Sequence, residues 1–114
     1  MSQTIFERII SGELKANVVH DDETSFAFHD ANPQAPTHIL VIPKKPIPRI
    51  GEAQPDDQEL LGHLMIKVGE IARKEGLAED GYRVVINNGR NAGESVPHLH
   101  IHILGGRPMS WPPG

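Results

Sequence analysis

The chain contains no cysteine. That excludes disulfides, thiol nucleophiles and every cysteine-ligated zinc module. Long apolar runs are missing too: no stretch approaches the roughly 18 residues that a membrane span requires. The opening Met1-Ser2-Gln3-Thr4 has no basic region leading into an apolar one, so no secretory signal is expected. The expected location is cytoplasmic, away from any membrane. Basic blocks are absent beyond Lys44-Lys45, and the formal net charge is −4. Proteins that track a nucleic-acid backbone usually carry a basic stripe. No long nucleic acid is therefore expected as partner, although a few local donors suffice to hold a single nucleotide. There is no internal repeat, linker or low-complexity block, and 114 residues fit one domain over 1–114. A chain of this size buries roughly two-thirds of its unfolded surface and needs no disulfide or metal to hold together.

What the chain does have is a row of histidines. In Val96-Pro97-His98-Leu99-His100-Ile101-His102-Ile103-Leu104-Gly105-Gly106, histidine alternates with aliphatic residues until a Gly-Gly stop. This is the period of a β-strand. A strand over His98–Leu104 puts Leu99, Ile101 and Ile103 toward a core and His98, His100 and His102 on the other face.

The rest reads in order. Thr4 and Glu7 form a capping box for a short helix whose stripe is Ile5, Phe6, Ile9 and Ile10, ended by Gly12. Ile5 and Ile10 read as core, whereas Phe6 and Ile9 are either core or the wall of an apolar pocket. Strands are expected at Asn17–His20, Ser25–Asp30 and His38–Ile42, with Asn32–Pro36 as a proline-stiffened connection. Pro43–Pro48 reads as an exit loop, with Lys44 and Lys45 a solvated edge. A long helix opens with Asp56 as N-cap and Glu59 at its third position. It carries Leu60, Leu61, Leu64, Val68, Ile71 and Ala72 as a core stripe and stops at Gly76. His63 within it reads as an ordinary boundary histidine. Tyr82–Asn87 is a fourth strand, and Asn88–Ser95 a Gly/Asn-rich turn into the histidine strand. The fold class is α+β: a five-stranded antiparallel meander with one long and one short helix, the helices gathered on one face.

A neutral imidazole is a nucleophile near pH 7, since its unperturbed pKa is ~6.5. It can attack phosphorus and form a covalent nucleotidyl-histidine if one ring nitrogen is free and the other donates to a fixed acceptor. A flanking histidine can protonate the leaving group. Asn87–Ser95 offers phosphate donors: Gly89 and Gly93 let backbone N–H groups converge, and Asn87 and Ser95 add side chains. Read alone, it is also an ordinary hairpin loop. Metal binding competes, with Asp30, Glu94 and His38 as further ligands. The row, however, spans about 13–14 Å, so no single ion at ~2.1 Å reaches all three histidines. His38 must find a partner if buried, and it reaches the row if its strand lies beside the last one.

His98-Leu99-His100-Ile101-His102-Ile103-Leu104 resembles the His-φ-His-φ-His-φ-φ motif of the histidine triad (HIT) superfamily. Phe28-His29-Asp30, Pro33-Gln34-Ala35-Pro36-Thr37-His38, Gly81-Tyr82-Arg83, Leu104-Gly105-Gly106-Arg107 and Trp111-Pro112-Pro113-Gly114 look like its Hint branch, the histidine triad nucleotide-binding proteins. The resemblance runs from Thr4 to Gly114. It implies a purine nucleoside 5′-monophosphoramidase that hydrolyses P–N bonds of AMP or GMP amidates and related aminoacyl adenylates, with no metal or cofactor. It implies His100 as nucleophile, His102 on the phosphate or leaving group, and His38 and His98 completing the histidine network. Asn87, Gly93 and Ser95 would hold the phosphate and Asp30 the ribose. Phe6, Ile9, Phe28, His29, Ala31 and Leu40 would line the base pocket. It also implies a homodimer whose sheets join into ten strands, with the tail 107–114 and its Trp111 reaching the partner's site.

Two residues depart from the branch: Glu94 stands where glutamine is frequent, and Pro97 where an aromatic is. A carboxylate beside a phosphate is repulsive unless it turns away, so only a backbone contact is carried over to Glu94. The alternatives are a dinucleoside polyphosphate hydrolase of the same superfamily, against which the Trp-Pro-Pro-Gly tail argues, and a nucleotide-binding regulatory or scaffold protein.

Overall fold

A computed structural model describes residues 3–114. Helix α1 spans Ile5–Ile10, and its capping box forms as the sequence predicts: Glu7 N–H donates to Thr4 Oγ1 at 3.1 Å, and Thr4 N–H donates to Glu7 Oε1 at 3.0 Å. Phe6 is buried, but Ile5 is 49% exposed. That corrects its reading as core. One and a half turns have a single inward face, and Phe6, Ile9 and Ile10 fill it.

Strands β1 (Val18–Asp21), β2 (Ser25–His29), β3 (Thr37–Pro43), β4 (Tyr82–Val85) and β5 (Ile101–Gly105) form one five-stranded sheet in the order β1-β2-β3-β5-β4. Every pairing is antiparallel. The last hairpin folds so that β5, and not β4, lies against β3. This sets His38 opposite Leu104 and Leu40 opposite His102.

Ala27, Ile39, Val41, Ile101 and Ile103 face helix α2 (Gln58–Lys74), packing on Leu64, Val68, Ile71 and Ala72. Phe26, Phe28, Leu40 and Ile42 face the other way, where Phe6 of α1 covers them. The helices thus lie on opposite faces rather than on one. β2 and β3 are apolar at successive positions, so both of their faces must be covered.

Several expected boundaries shift by one to three residues, and two shifts have structural consequences. Helix α2 takes Asp57, not Asp56, as its N-cap, after a single 3-10 turn at Pro55–Asp57. The buried Asp57 carboxylate accepts from Gln54 N–H at 2.9 Å and pairs with Lys45 at 2.5 Å, which fixes the tight turn ahead of the helix. Lys44 likewise pairs with Asp21 at 2.6 Å, so the two lysines are staples as well as an edge. The second shift is in β5, which starts at Ile101, leaving His98 and His100 outside it. Pro97 has no N–H. The N–H of His98 folds back onto Val96 O at 2.8 Å, and that of Leu99 goes to Ile47 O at 2.7 Å. The sheet's ladder therefore cannot begin earlier. Leu99 still faces the α2 core, as the alternation predicts.

His63 lies at the boundary, as expected, and donates to Asp22 at 3.0 Å. Asp22 also holds His20 at 2.7 Å, Ser25 Oγ at 2.6 Å and two backbone N–H groups. Burial works against its negative charge, but the bonds from Ser25 and His20 outweigh this and hold the carboxyl well below its usual range. The β1–β2 turn is thereby pinned to α2. No helix among the described residues is long and apolar enough to cross a membrane.

Candidate active site

The four histidines separate into two pairs with different hydrogen-bond logic. His100 Nδ1 lies 2.7 Å from the carbonyl of His98. A carbonyl only accepts, so Nδ1 carries the proton and Nε2 keeps a free lone pair. The fixed acceptor that a nucleophilic imidazole needs is thus a backbone group. His98 is fully buried, and its Nε2–H donates to the carbonyl of Pro43 at 2.8 Å. Its ring is a strut that holds the carbonyl aimed at His100. Phe6 packs edge-on against both rings, its centroid 6.0 Å from His98 and 5.0 Å from His100.

The second pair is a relay. Gln34 N–H donates to His38 Nδ1 at 3.0 Å. A backbone N–H cannot reverse, so the neutral His38 ring carries its proton on Nε2. That proton points at His102 Nδ1, 2.9 Å away, with Asp30 Oδ2 beside it at 3.4 Å. His102 Nδ1 is therefore an acceptor, and its proton sits on Nε2, which is buried and has no partner in the protein. Buried donors are rarely left unpaired. The rings of His100 and His102 are 5.0 Å apart, so this orphan N–H belongs to the ring that adjoins His100. The expectation that His38 reaches the row is met through the β3–β5 pairing.

Burial favours the neutral form of His38, His98 and His102. Desolvation pushes His38 and His98 below the ordinary histidine value, and it takes His102 to about 4, with the neighbouring His100 and His38 adding to the effect. In the unfolded chain these rings gain protons as pH falls through ~6.5, whereas in the fold they resist protonation. The unfolded state binds more protons in that window, so the stability they contribute is intact above ~6.5 and is lost as pH falls toward the lower folded values. The urea midpoint is expected to fall between pH 7 and pH 5, and replacing His102 with phenylalanine should flatten that dependence. An unchanged slope would show that the rings are not held neutral.

In the loop before the row, Gly89 and Gly93 take φ of +85° and +78°, flanking a short turn at Arg90–Ala92. Glu94 folds back: its carboxylate meets Arg49 twice, at 2.9 and 3.0 Å, and accepts from Gly89 N–H at 3.0 Å. Arg49, the Gly89 N–H and, more weakly, His100 hold its pKa down to about 2. Both carboxylate oxygens are taken up by these partners, and the Arg49 guanidinium offsets the charge. Asn87, Gly93, Glu94 and Ser95 all belong to this loop, which runs directly into the row.

Behind the rings, Phe6 and Phe28 pack edge to face at 5.7 Å, with Leu40 and Ile9 in the same cluster. His29 and Asp30 are half-buried at the end of β2, and Ala31 is exposed just beyond. Trp111 is not among these groups. It is 82% exposed and lies near Arg83 on the β4 edge, 5.9 Å from guanidinium carbon to ring centre. A cleft of about 460 Å³ lies at the other end of β5 beside Leu77, Asp80 and Arg107.

The HIT domain family matches residues 11–109 of the chain. The chain belongs to the HIT family. It is 48% identical to a HIT family hydrolase from Legionella pneumophila, with a TM-score of 0.96 over 98% of this chain and 100% of that one. A histidine triad nucleotide-binding protein from Candida albicans is 30% identical, with a TM-score of 0.82 over 96% of this chain and 83% of that one. A maize protein named "14 kDa zinc-binding protein" is 52% identical over 99% of this chain and 89% of its own length.

The last name raises the question of zinc in this HIT chain. Ligand atoms of Asp30, His38 and His102 lie within 4.8 Å of one another. Their hydrogen bonds oppose a metal. Gln34 N–H occupies the lone pair of His38 Nδ1, the His38 proton sits on Nε2, and that proton fills the lone pair of His102 Nδ1. An ion needs deprotonated nitrogens directed at it, so the donor set does not fit one.

The sequence reading missed the support of the HIT site. The end of β3 and the connector after it supply the carbonyls of Pro43 and Ile47, the guanidinium of Arg49, and the N–H of Gly51, which donates to Asn88 Oδ1 at 2.7 Å. A solvated exit loop is instead the bed on which residues 88–99 lie. The available signal was its three prolines, which stiffen the segment and leave its carbonyls free of a local partner.

Proposed function

We propose that the protein is a purine nucleoside 5′-monophosphoramidase of the Hint branch. The carrying observation is the pairing of a free His100 Nε2 lone pair with an unpartnered His102 Nε2–H on the adjoining ring. In the first step His100 Nε2 attacks phosphorus, the new N–P bond forms, and the amine departs with the P–N electron pair and takes up a proton from water. In the second step water attacks the nucleotidyl-histidine, releasing AMP or GMP and returning the ring. His102 Nε2–H donates to a phosphoryl oxygen or to the departing nitrogen. Glycine-lined N–H groups of the loop and the side chains of Asn87 and Ser95 hold the phosphate. Asp30 receives the ribose hydroxyls, and Phe6, Ile9, Phe28, His29, Ala31 and Leu40 enclose the base. The names of the Legionella hydrolase and the Candida nucleotide-binding protein agree with this reading.

The same reading makes the protein a homodimer with Trp111 reaching the partner's site. Three features support it: β4 is a sheet edge, Met65 and Ile66 on α2 are 50% and 65% exposed, and Trp111 is 82% exposed. Unpaired edges and exposed apolar side chains favour association.

The test is turnover of AMP phosphoramidate, GMP phosphoramidate and diadenosine polyphosphates, each with and without EDTA. The two amidates should turn over at least about a hundredfold faster than the polyphosphates, with no effect of chelation. Preference for the polyphosphates, or activity abolished by EDTA, would overturn the assignment.

A further inference from the structure

We propose that Arg49 is a positioning residue for the phosphate site: it holds the Glu94 carboxylate back, so that the Gly89–Ser95 loop presents donors and not a negative charge to an anionic ligand. The inference rests on the nucleotide reading above and adds the device that lets this chain carry glutamate at the loop's end. The two-point contact at 2.9 and 3.0 Å uses both carboxylate oxygens, and one of them also takes Gly89 N–H at 3.0 Å. Glu94 therefore closes the loop from end to end while its charge is spent on Arg49. Arg49 also pairs with Glu52, but the two carboxylates differ: the Glu52 side chain is 52% exposed and that of Glu94 is 11% exposed. Water can replace Arg49 for the first and not for the second. Gly51, two residues on, fixes the start of the same loop through Asn88, and a β-carbon there would meet Asn88 Oδ1 at 2.8 Å. The connector thus grips the loop at both ends, by a hydrogen bond at Asn88 and by an ion pair at Glu94.

This arrangement gives the two partners opposite effects. Without Arg49, an unpaired carboxylate stands beside the bound phosphate and repels it. Without Glu94, a guanidinium held only by the exposed Glu52 remains there and attracts it. A pair that merely braced the loop would show equal losses from either side. Glutamine at position 94 still accepts from Gly89 N–H, so loop closure is retained in that variant.

The experiment is equilibrium binding of AMP and of uncharged adenosine to the wild type, Arg49→Gln, Glu94→Gln and the double variant. Arg49→Gln should weaken AMP by about tenfold and adenosine by less than about twofold. Glu94→Gln should bind AMP about two- to threefold more tightly than the wild type, and the double variant should return to within about threefold of it. Arg49→Lys keeps the charge without the two-point hold. It should weaken AMP about threefold, and it carries the test if Arg49→Gln does not fold. Equal losses in the two single variants, or losses that are the same for AMP and adenosine, overturn the positioning role and leave the phosphoramidase reading standing. A wild type that binds neither AMP nor adenosine overturns both.

Discussion

His100→Ala is expected to lower turnover of AMP phosphoramidate by about ten-thousandfold or more. The change removes the ring whose free Nε2 lone pair adjoins the His102 ring, and with it the proposed covalent route. AMP binding should stay within a few fold, because the loop donors, Asp30 and His102 Nε2–H all remain. Two measurements check this. Steady-state kinetics gives the loss in kcat, and a denaturing quench at alkaline pH, where the P–N bond survives, with phosphorus-labelled substrate traps labelled protein in the wild type and none in the variant. Labelled protein in His100→Ala, or turnover within tenfold of the wild type, removes His100 as nucleophile.

Much of this was legible in the sequence because it is local. Alternation over Leu99, Ile101 and Ile103 placed all three in the α2 core. The Thr4–Glu7 box and the α2 stripe depend on residues three or four apart, and both formed. What failed depended on partners distant in the chain. The start of β5 was misjudged because alternation reports which face a side chain takes, not where the backbone's donors go. Here Leu99 N–H finds Ile47, 52 positions earlier by their numbers, and not a neighbouring strand. Asp56 lost the capping role to Asp57 because the local pattern gives no sign of Lys45, whose charge meets Asp57 across the connector.

Legibility of the candidate site divides along the same line. The sequence names the histidines, and the motif orders them, but their tautomers are set by Gln34 N–H and the carbonyls of Pro43 and His98. Backbone carbonyls are chemically alike at every position, and every residue but proline carries the same N–H, so no residue pattern marks these partners. Glu94 is the sharper case. Read in sequence, its charge is a repulsion to be explained away. In the fold, Arg49 is 45 positions away and changes that charge from an obstacle into a brace.

The relay through His38 supplies the other large effect. His38→Phe is expected to lower kcat by about a hundredfold, while kcat for His38→Gln should fall by only a few fold. Phenylalanine removes the proton that fixes His102. The His102 ring is then free to place its own proton on Nδ1, turning a bare Nε2 lone pair toward the substrate. A lone pair facing phosphoryl oxygen is repulsive where an N–H was stabilising, and losing one such donor costs about a hundred- to a thousandfold. Glutamine can present an amide N–H to His102 Nδ1 and so keep the tautomer. Nitrogen-15 shifts of the His102 ring read this directly: Nε2-protonated in the wild type and His38→Gln, and shifted toward the Nδ1 form in His38→Phe. An unchanged tautomer together with unchanged kcat in His38→Phe would mean that His102 is oriented by something other than His38. If kcat falls while the tautomer stays fixed, His38 acts by packing rather than by its proton. Asp30, at 3.4 Å from the same His38 nitrogen, is too far for a strong bond and should not substitute for the relay.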